Sequence, residues 1–119
     1  MIIRSDAYPR SSDVAKHGGN GEFGVETILT REQLGQAGRL FVRGTLKPGH
    51  SVGMHRHSGD TEICYFLSGR GVVREEDGSE YTVYPGDVNI TPSGHAHEIL
   101  NLDESEDLVY LAIVLFLKE

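Results

Sequence analysis

The chain has no tryptophan, a single cysteine, four prolines and no apolar run longer than ten residues. Each scarcity removes a class of protein. With Cys64 alone, neither an intrachain disulfide nor a thiolate metal cluster can form, and a reducing compartment fits best. The run Leu108 to Leu117 is half of the roughly 20 residues that a membrane helix needs. Met1 to Arg10 lack the apolar stretch of a secretory signal. The expectation is a cytoplasmic protein with no membrane partner. Basic residues are also few, 11 against 18 acidic, for a formal net charge of −7. A polyanion would be repelled, so nucleic acid is not an expected partner. No segment keeps a helical apolar period over three turns, and no nucleotide loop, serine-nucleophile motif or cysteine-nucleophile motif occurs.

What is present is glycine, 15 residues in a chain of 119, spread among short apolar runs as strands and tight turns require. The length suits one domain. Residues 1–24 are expected to form an N-terminal arm and loop, loosest at Lys16-His17-Gly18-Gly19-Asn20-Gly21, and residues 25–119 a single β-barrel domain. A first strand is expected at Val25 to Leu29, and Thr30 with Gln33 fits a capping box that starts one helical turn. Strands follow at Arg39 to Leu46, Ser51 to His57, Glu62 to Leu67, Asp87 to Thr91, Ala96 to Asn101 and Leu108 to Leu117. Asp77-Gly78 predicts a two-residue type I′ hairpin, pairing Arg74 with Tyr81 and Glu75 with Glu80. Eight or so short strands at this spacing predict a sandwich or closed barrel. The strands Ile63 to Leu67 and Leu108 to Leu117 are apolar on both faces, and a homodimer interface is the simplest cover for the outer one.

The chemistry-bearing pattern is His55-Arg56-His57, then Glu62, then His97. Strand side chains alternate, so His55 and His57 share a face, about 7 Å apart at Cα, within reach of one metal. Glu62 returns on the next strand with an anionic oxygen, and Cys64 and Phe66 share its face as pocket lining. His97 adds a third nitrogen. One divalent transition metal (Mn, Fe, Co, Ni, Cu or Zn, with manganese or iron preferred) suits three imidazoles and a carboxylate without sulfur. A six-coordinate ion would keep two positions open for a ligand.

These residues sit inside two clusters, Gly49, His55, His57, Glu62 and Gly69, then Gly86, Pro92, Gly94, His97 and Asn101. Together they resemble the paired motifs of the cupin superfamily, over Arg39 to Leu117. The short segment between Gly69 and Gly86 and the single motif set are similar to small bacterial monocupins. The resemblance implies an all-β, double-stranded β-helix or jelly-roll fold, a conical barrel with a metal at its wider mouth. It implies His55, His57, Glu62 and His97 as ligands, and often a dimer that exchanges N-terminal strands, here Val25 to Leu29. Met54-His55-Arg56-His57 through Gly86-Asp87 also resembles cupins labelled mannose-6-phosphate-isomerase-like or oxalate-decarboxylase-like.

Outside the four, candidates for chemistry are weaker. His95-Ala96-His97 is a second H-x-H; the motif register favours His97 as ligand and leaves His95 at the rim, where an imidazole can carry a proton near neutral pH. Arg74 and Tyr81 would face the pocket if their hairpin face is interior, and Arg74 would then hold a substrate carboxylate; a surface arginine is the simpler account. Asp60 and Asp87 read as turn acids, Asn101 as a strand-end hydrogen bonder, and His17 and His50 carry little signal. The expected function is a metal-dependent enzyme acting on a small anionic carboxylate or sugar acid, by isomerase, lyase, decarboxylase or dioxygenase chemistry. The alternative is a non-catalytic module that binds or senses a small ligand through the metal.

Overall fold

The computed structural model describes residues 1–117; the last two residues of the expected barrel, 118 and 119, lie outside the described residues. Among the described residues, ten strands build two antiparallel sheets. In chain order they are β1 (Arg10–Val14), β2 (Glu22–Leu29), β3 (Gly38–Leu46), β4 (Ser51–Arg56), β5 (Asp60–Ser68), β6 (Gly71–Glu75), β7 (Glu80–Val83), β8 (Val88–Thr91), β9 (Ala96–Leu100) and β10 (Leu108–Phe116). The larger sheet runs β1-β2-β3-β10-β5-β8 and the smaller β4-β9-β6-β7. This is the all-β, two-sheet jelly roll that the cupin resemblance implies, within the sandwich-or-barrel class that the turn spacing predicts. The only α-helix among the described residues is α1 (Arg31–Leu34), and its Thr30–Gln33 capping box is formed in both directions, at 2.8 and 3.2 Å.

The core lies between the sheets and follows strand alternation. On β10, Leu108, Tyr110, Ala112 and Val114 point inward and are buried. The first three join one core cluster with Val42 and Leu46 of β3, Cys64 and Phe66 of β5, and Val52, Val73 and Ile99 of the smaller sheet. Each large side chain so buried stabilises the fold by about 1.5–3 kcal/mol. The opposite faces of the same strands form two apolar rows on the outside of the larger sheet. One runs Phe41, Ile113, Ile63, Ile90 and the other Leu111, Tyr65, Val88. Tyr65, Val88 and Ile90 are exposed.

Two expectations need correction. The β6–β7 hairpin is not a two-residue type I′ turn, because Asp77 is not left-handed; only Gly78 takes a positive φ, of 90°. Asp77 accepts the Ser79 N–H in its side chain (2.9 Å), and Gly78 and Glu75 close a three-residue turn with a bulge. The extra residue slips the register by one, so Arg74 faces Glu80 and Val73 faces Tyr81. An ion pair thereby replaces the expected Glu75–Glu80 facing pair.

The segment expected to be a loop before Gly24 also carries structure. β1 pairs with β2 from Arg10–Glu26 to Val14–Glu22, and β2 pairs with β3 of its own chain. Between β1 and β2 the chain makes a tight turn over Lys16–Gly18 in which Ala15 and His17 both sit at φ 51°. A non-glycine residue in that region costs about 1–2 kcal/mol, so contacts elsewhere must hold the turn. Ser51 N–H donates to the Asn20 carbonyl, Asn20 N–H donates to Ser51 Oγ, and Glu22 N–H donates to His50 Nδ1, all at 2.9–3.1 Å.

Candidate metal centre

His55, His57, Glu62 and His97 converge, each offering one ligand atom within 4.8 Å of the others. A defect in the ladder aims the first of them. Val52 of β4 faces the core opposite Ile99, and strict alternation would next send Met54 inward. The pairing shifts after Val52, so that His55 rather than Met54 lies opposite His97. This bulge, at Gly53 and Met54, turns Met54 to solvent and His55 to the interior. The Gly53 carbonyl then accepts the His55 Nδ1–H at 2.8 Å.

Each remaining imidazole is fixed in the same way. His57 Nδ1 donates to Asp60 Oδ1 at 3.0 Å, and the second Asp60 oxygen accepts from Arg39 Nε at 3.0 Å. His97 Nδ1 lies 2.8 Å from Asn89 Oδ1 and 2.9 Å from Thr91 Oγ1. With all three Nδ1 atoms engaged, the tautomer leaves each Nε2 lone pair free and inward, the arrangement by which outer partners orient metal-binding histidines.

The convergence has no satisfactory resolution with protein atoms alone. His55 and His97 face each other Nε2 to Nε2 at 3.0 Å, and Glu62 Oε1 lies 2.6 Å from His97 Nε2, 3.3 Å from His57 Nε2 and 3.8 Å from His55 Nε2. His57 Nε2 is buried without a hydrogen-bond partner. Lone pairs placed together repel unless a cation sits between them, and edges of about 3 Å are what neighbouring ligands at ~2.0–2.2 Å from one ion produce. The residues present therefore fit a single divalent metal. Burial pushes the Glu62 carboxyl up, but the three imidazoles crowded against it outweigh that and hold the group well below the usual carboxylate range. The Glu62 carboxylate facing its Nε2 raises His57 above the ordinary imidazole value, against burial and with help from Asp60.

The centre opens into a cavity of about 210 Å3, walled by Phe23, Val42, Val52, Ile99 and Tyr110 and rimmed by Lys16, His17, Arg39 and Arg56. Cys64 is buried beside Glu62, with its thiol pushed well up by burial, and carries no ligand role. Asn101 is fully buried, and its amide donates to the Leu46 and Glu106 carbonyls, as a strand-end hydrogen bonder should. The weaker candidates lie elsewhere. His95 is largely exposed and turns to Glu76 at 3.4 Å. Arg74 pairs with Glu80 and Glu98 on the outer face, and Tyr81 is exposed beside the groove between β7 and β8. Asp60, read from the sequence as a turn acid, instead starts β5 and is buried between His57 and Arg39; Asn89, Thr91, Arg39 and His17 likewise take their roles from neighbours on other elements.

A jelly roll with three imidazoles and a carboxylate converging inside defines a cupin, and residues 42–114 match the Cupin domain family (Cupin_2). The chain belongs to that family. It is 38% identical over 117 residues to a protein of Thermotoga maritima named oxalate-binding protein, covering 98% of this chain and 95% of that one. A crystal structure from Thermotoga maritima, described as a predicted oxalate decarboxylase, superposes with a TM-score of 0.90 at 38% identity, over 98% of this chain and all of that one. The polyketide cyclase RemF from Streptomyces resistomycificus shares the fold, with a TM-score of 0.78 at 18% identity, over 100% of this chain and 87% of that one. Among the described residues no helix is long and apolar enough to cross a membrane.

Proposed function

We propose that this protein is a metal-dependent cupin whose substrate is a small carboxylate anion of the oxalate class. The observation that carries this reading is the set of three outward-anchored imidazoles and Glu62 around one point, with a small cation-rimmed cavity beside it. The 38% identical relative named oxalate-binding protein supports the choice of anion. When bound, a divalent metal supplies a Lewis-acid centre that fixes and polarises a carboxylate oxygen. The chain does the rest. Gly53, Asp60, Asn89 and Thr91 hold the imidazoles in one tautomer, the apolar wall limits ligand size and excludes water, and Arg39 and Lys16 offset negative charge. With no sulfur ligand, Mn(II) and Fe(II) are the first metals to test. Elemental analysis of the purified protein, oxalate calorimetry and assay for formate and carbon dioxide form the test. A protein that takes up no metal, or a metal-loaded protein that ignores oxalate, sinks the reading.

A second reading, a module that holds the anion without converting it, is favoured by one observation. His95, Arg74 and Tyr81 all lie away from the four ligands, which leaves few proton donors beside them. Saturable oxalate binding with no turnover under Mn(II) and Fe(II) selects it. For the cytoplasmic protein we further propose a homodimer, with the rows Phe41-Ile113-Ile63-Ile90 and Leu111-Tyr65-Val88 covered by a second copy. Light scattering should give twice the chain mass and, for Tyr65→Lys with Ile63→Asp, the monomer; an unchanged mass in that variant contradicts the interface.

A further inference from the structure

We propose that the turn at residues 15–19 of the N-terminal hairpin is a fixed wall of the ligand site, in which His17 and Lys16 grip the end of a small dicarboxylate that points away from the metal. This rests on the substrate reading above and adds the residues that select for it. The His17 ring lies parallel to that of the ligand residue His55, with centroids 4.1 Å apart and planes at 15°. Both His17 and Lys16 line the cavity that holds His55, His57 and Glu62. Lys16 pairs with Asp13 at 3.3 Å, and both residues line the same cavity; the ammonium has three N–H donors, more than this one contact uses.

The backbone is built to keep His17 there. A Cβ on Gly53 would lie 2.1 Å from the His17 carbonyl oxygen, and one on Gly19 would lie 2.2 Å from the Ser51 carbonyl oxygen. Glycine at both facing positions lets the turn close against β4, next to the bulge that aims His55. Two non-glycine residues, Ala15 and His17, are held left-handed to complete the closure. Backbone outliers of this kind persist where the surrounding structure over-determines them, and they cluster at ligand sites. In a chain of net charge −7, Lys16, Arg39 and Arg56 line this one small cavity together with Asp13, each cation paired with a carboxylate, Asp13, Asp60 and Glu76 in turn. A dicarboxylate held at the metal by one end carries a second carboxylate for these side chains to meet, and a monocarboxylate carries none.

The test uses the full chain loaded with Mn(II), with oxalate and acetate as probes in calorimetry and metal measured by elemental analysis. His17→Phe keeps the stacked ring and deletes its nitrogens, His17→Asn tolerates the left-handed backbone, and Lys16→Gln removes the charge. All three should retain full metal, bind oxalate at least tenfold more weakly than the parent, and bind acetate within about twofold of it. Variants that hold Mn(II) and bind oxalate like the parent overturn this inference while leaving the substrate reading intact. Loss of metal in His17→Phe and His17→Asn also overturns it, by making His17 a prop for His55. If the parent itself holds Mn(II) and binds no oxalate, the substrate reading fails and takes this inference with it.

Discussion

The chain contains two H-x-H pairs, and they behave differently. In His55-Arg56-His57 both rings reach the centre; in His95-Ala96-His97 only the second does. The strands place the pairs opposite each other, His55 facing His97, and the His57 N–H donates to the His95 carbonyl at 3.0 Å. Spacing alone would thus put four imidazoles on one face. What separates them is the acceptor that each Nδ1 finds. His57 meets Asp60 on the inside, whereas His95 meets Glu76 on the outside. The H-x-H pattern selects a face, and an outer hydrogen-bond partner selects a ligand.

The strongest way to break this comparison is to remove one ring from each pair. His57→Ala should lose the metal, with occupancy by elemental analysis falling to near zero. His95→Ala should keep the parent's content. Equal losses in the two would show that His95 takes part in the centre after all.

Removing the acceptors instead of the rings gives a smaller effect with the same asymmetry. Asp60→Ala should weaken metal affinity about 10–100-fold, the usual cost of losing an outer partner, as measured by competition with a chelator. Glu76→Ala should leave affinity unchanged and only loosen Arg56, which pairs with Glu76 at 2.6 Å. A Glu76 variant as weak as the Asp60 variant would contradict the division of roles.

A third route works through the backbone. Gly53→Ala forces a Cβ against the His17 carbonyl beside the bulge that turns His55 inward. It should destabilise the protein by about 1–3 kcal/mol, the range for overpacking, read by denaturant unfolding. The matching change in the other pair, Gly94→Ala, meets open space and carries only the cost of a positive φ of 90°. Gly53→Ala should therefore lower oxalate affinity as well as stability, and Gly94→Ala should lower stability alone.

These contrasts explain what the sequence made legible. Period-two alternation and the turn glycines are local and yielded the strands of a sandwich or barrel, while the two motif clusters around His55, His57, Glu62 and His97 carried the resemblance that implied the jelly roll and the four convergent residues. The register of the β6–β7 hairpin did not follow, because Asp77 accepts the Ser79 N–H and stays out of the left-handed region, leaving Gly78 alone there. The bulge before His55 was equally invisible, since it exists only relative to β9. His17 carried no signal because its meaning comes from His55, 38 residues further on. Residues defined by a partner on another strand are the ones that sequence reasoning passed over.

The smallest effect expected is a pH dependence that distinguishes the pairs without changing a residue outside them. In the metal-free protein His57 has a raised pKa, chiefly through Glu62. Its contribution to stability is full below the unfolded value of ~6.5 and is lost as pH rises through the higher folded value. Glu62 has a depressed pKa, so its contribution is present above ~4.3 and is lost only as pH falls through the folded value. The metal-free protein should therefore be most stable between these limits and lose stability as pH rises through the raised His57 value. A metal takes the place of the proton on His57 Nε2, so the metal-loaded protein gains where the metal-free protein loses. The difference in Tm between the two forms should widen steadily from pH 6 to pH 8. His95→Ala should show the same widening, because His95 stands outside the proton–metal competition. A gap that stays constant with pH in the parent would mean that no proton leaves these imidazoles when metal binds, and the inward Nε2 assignment would be wrong.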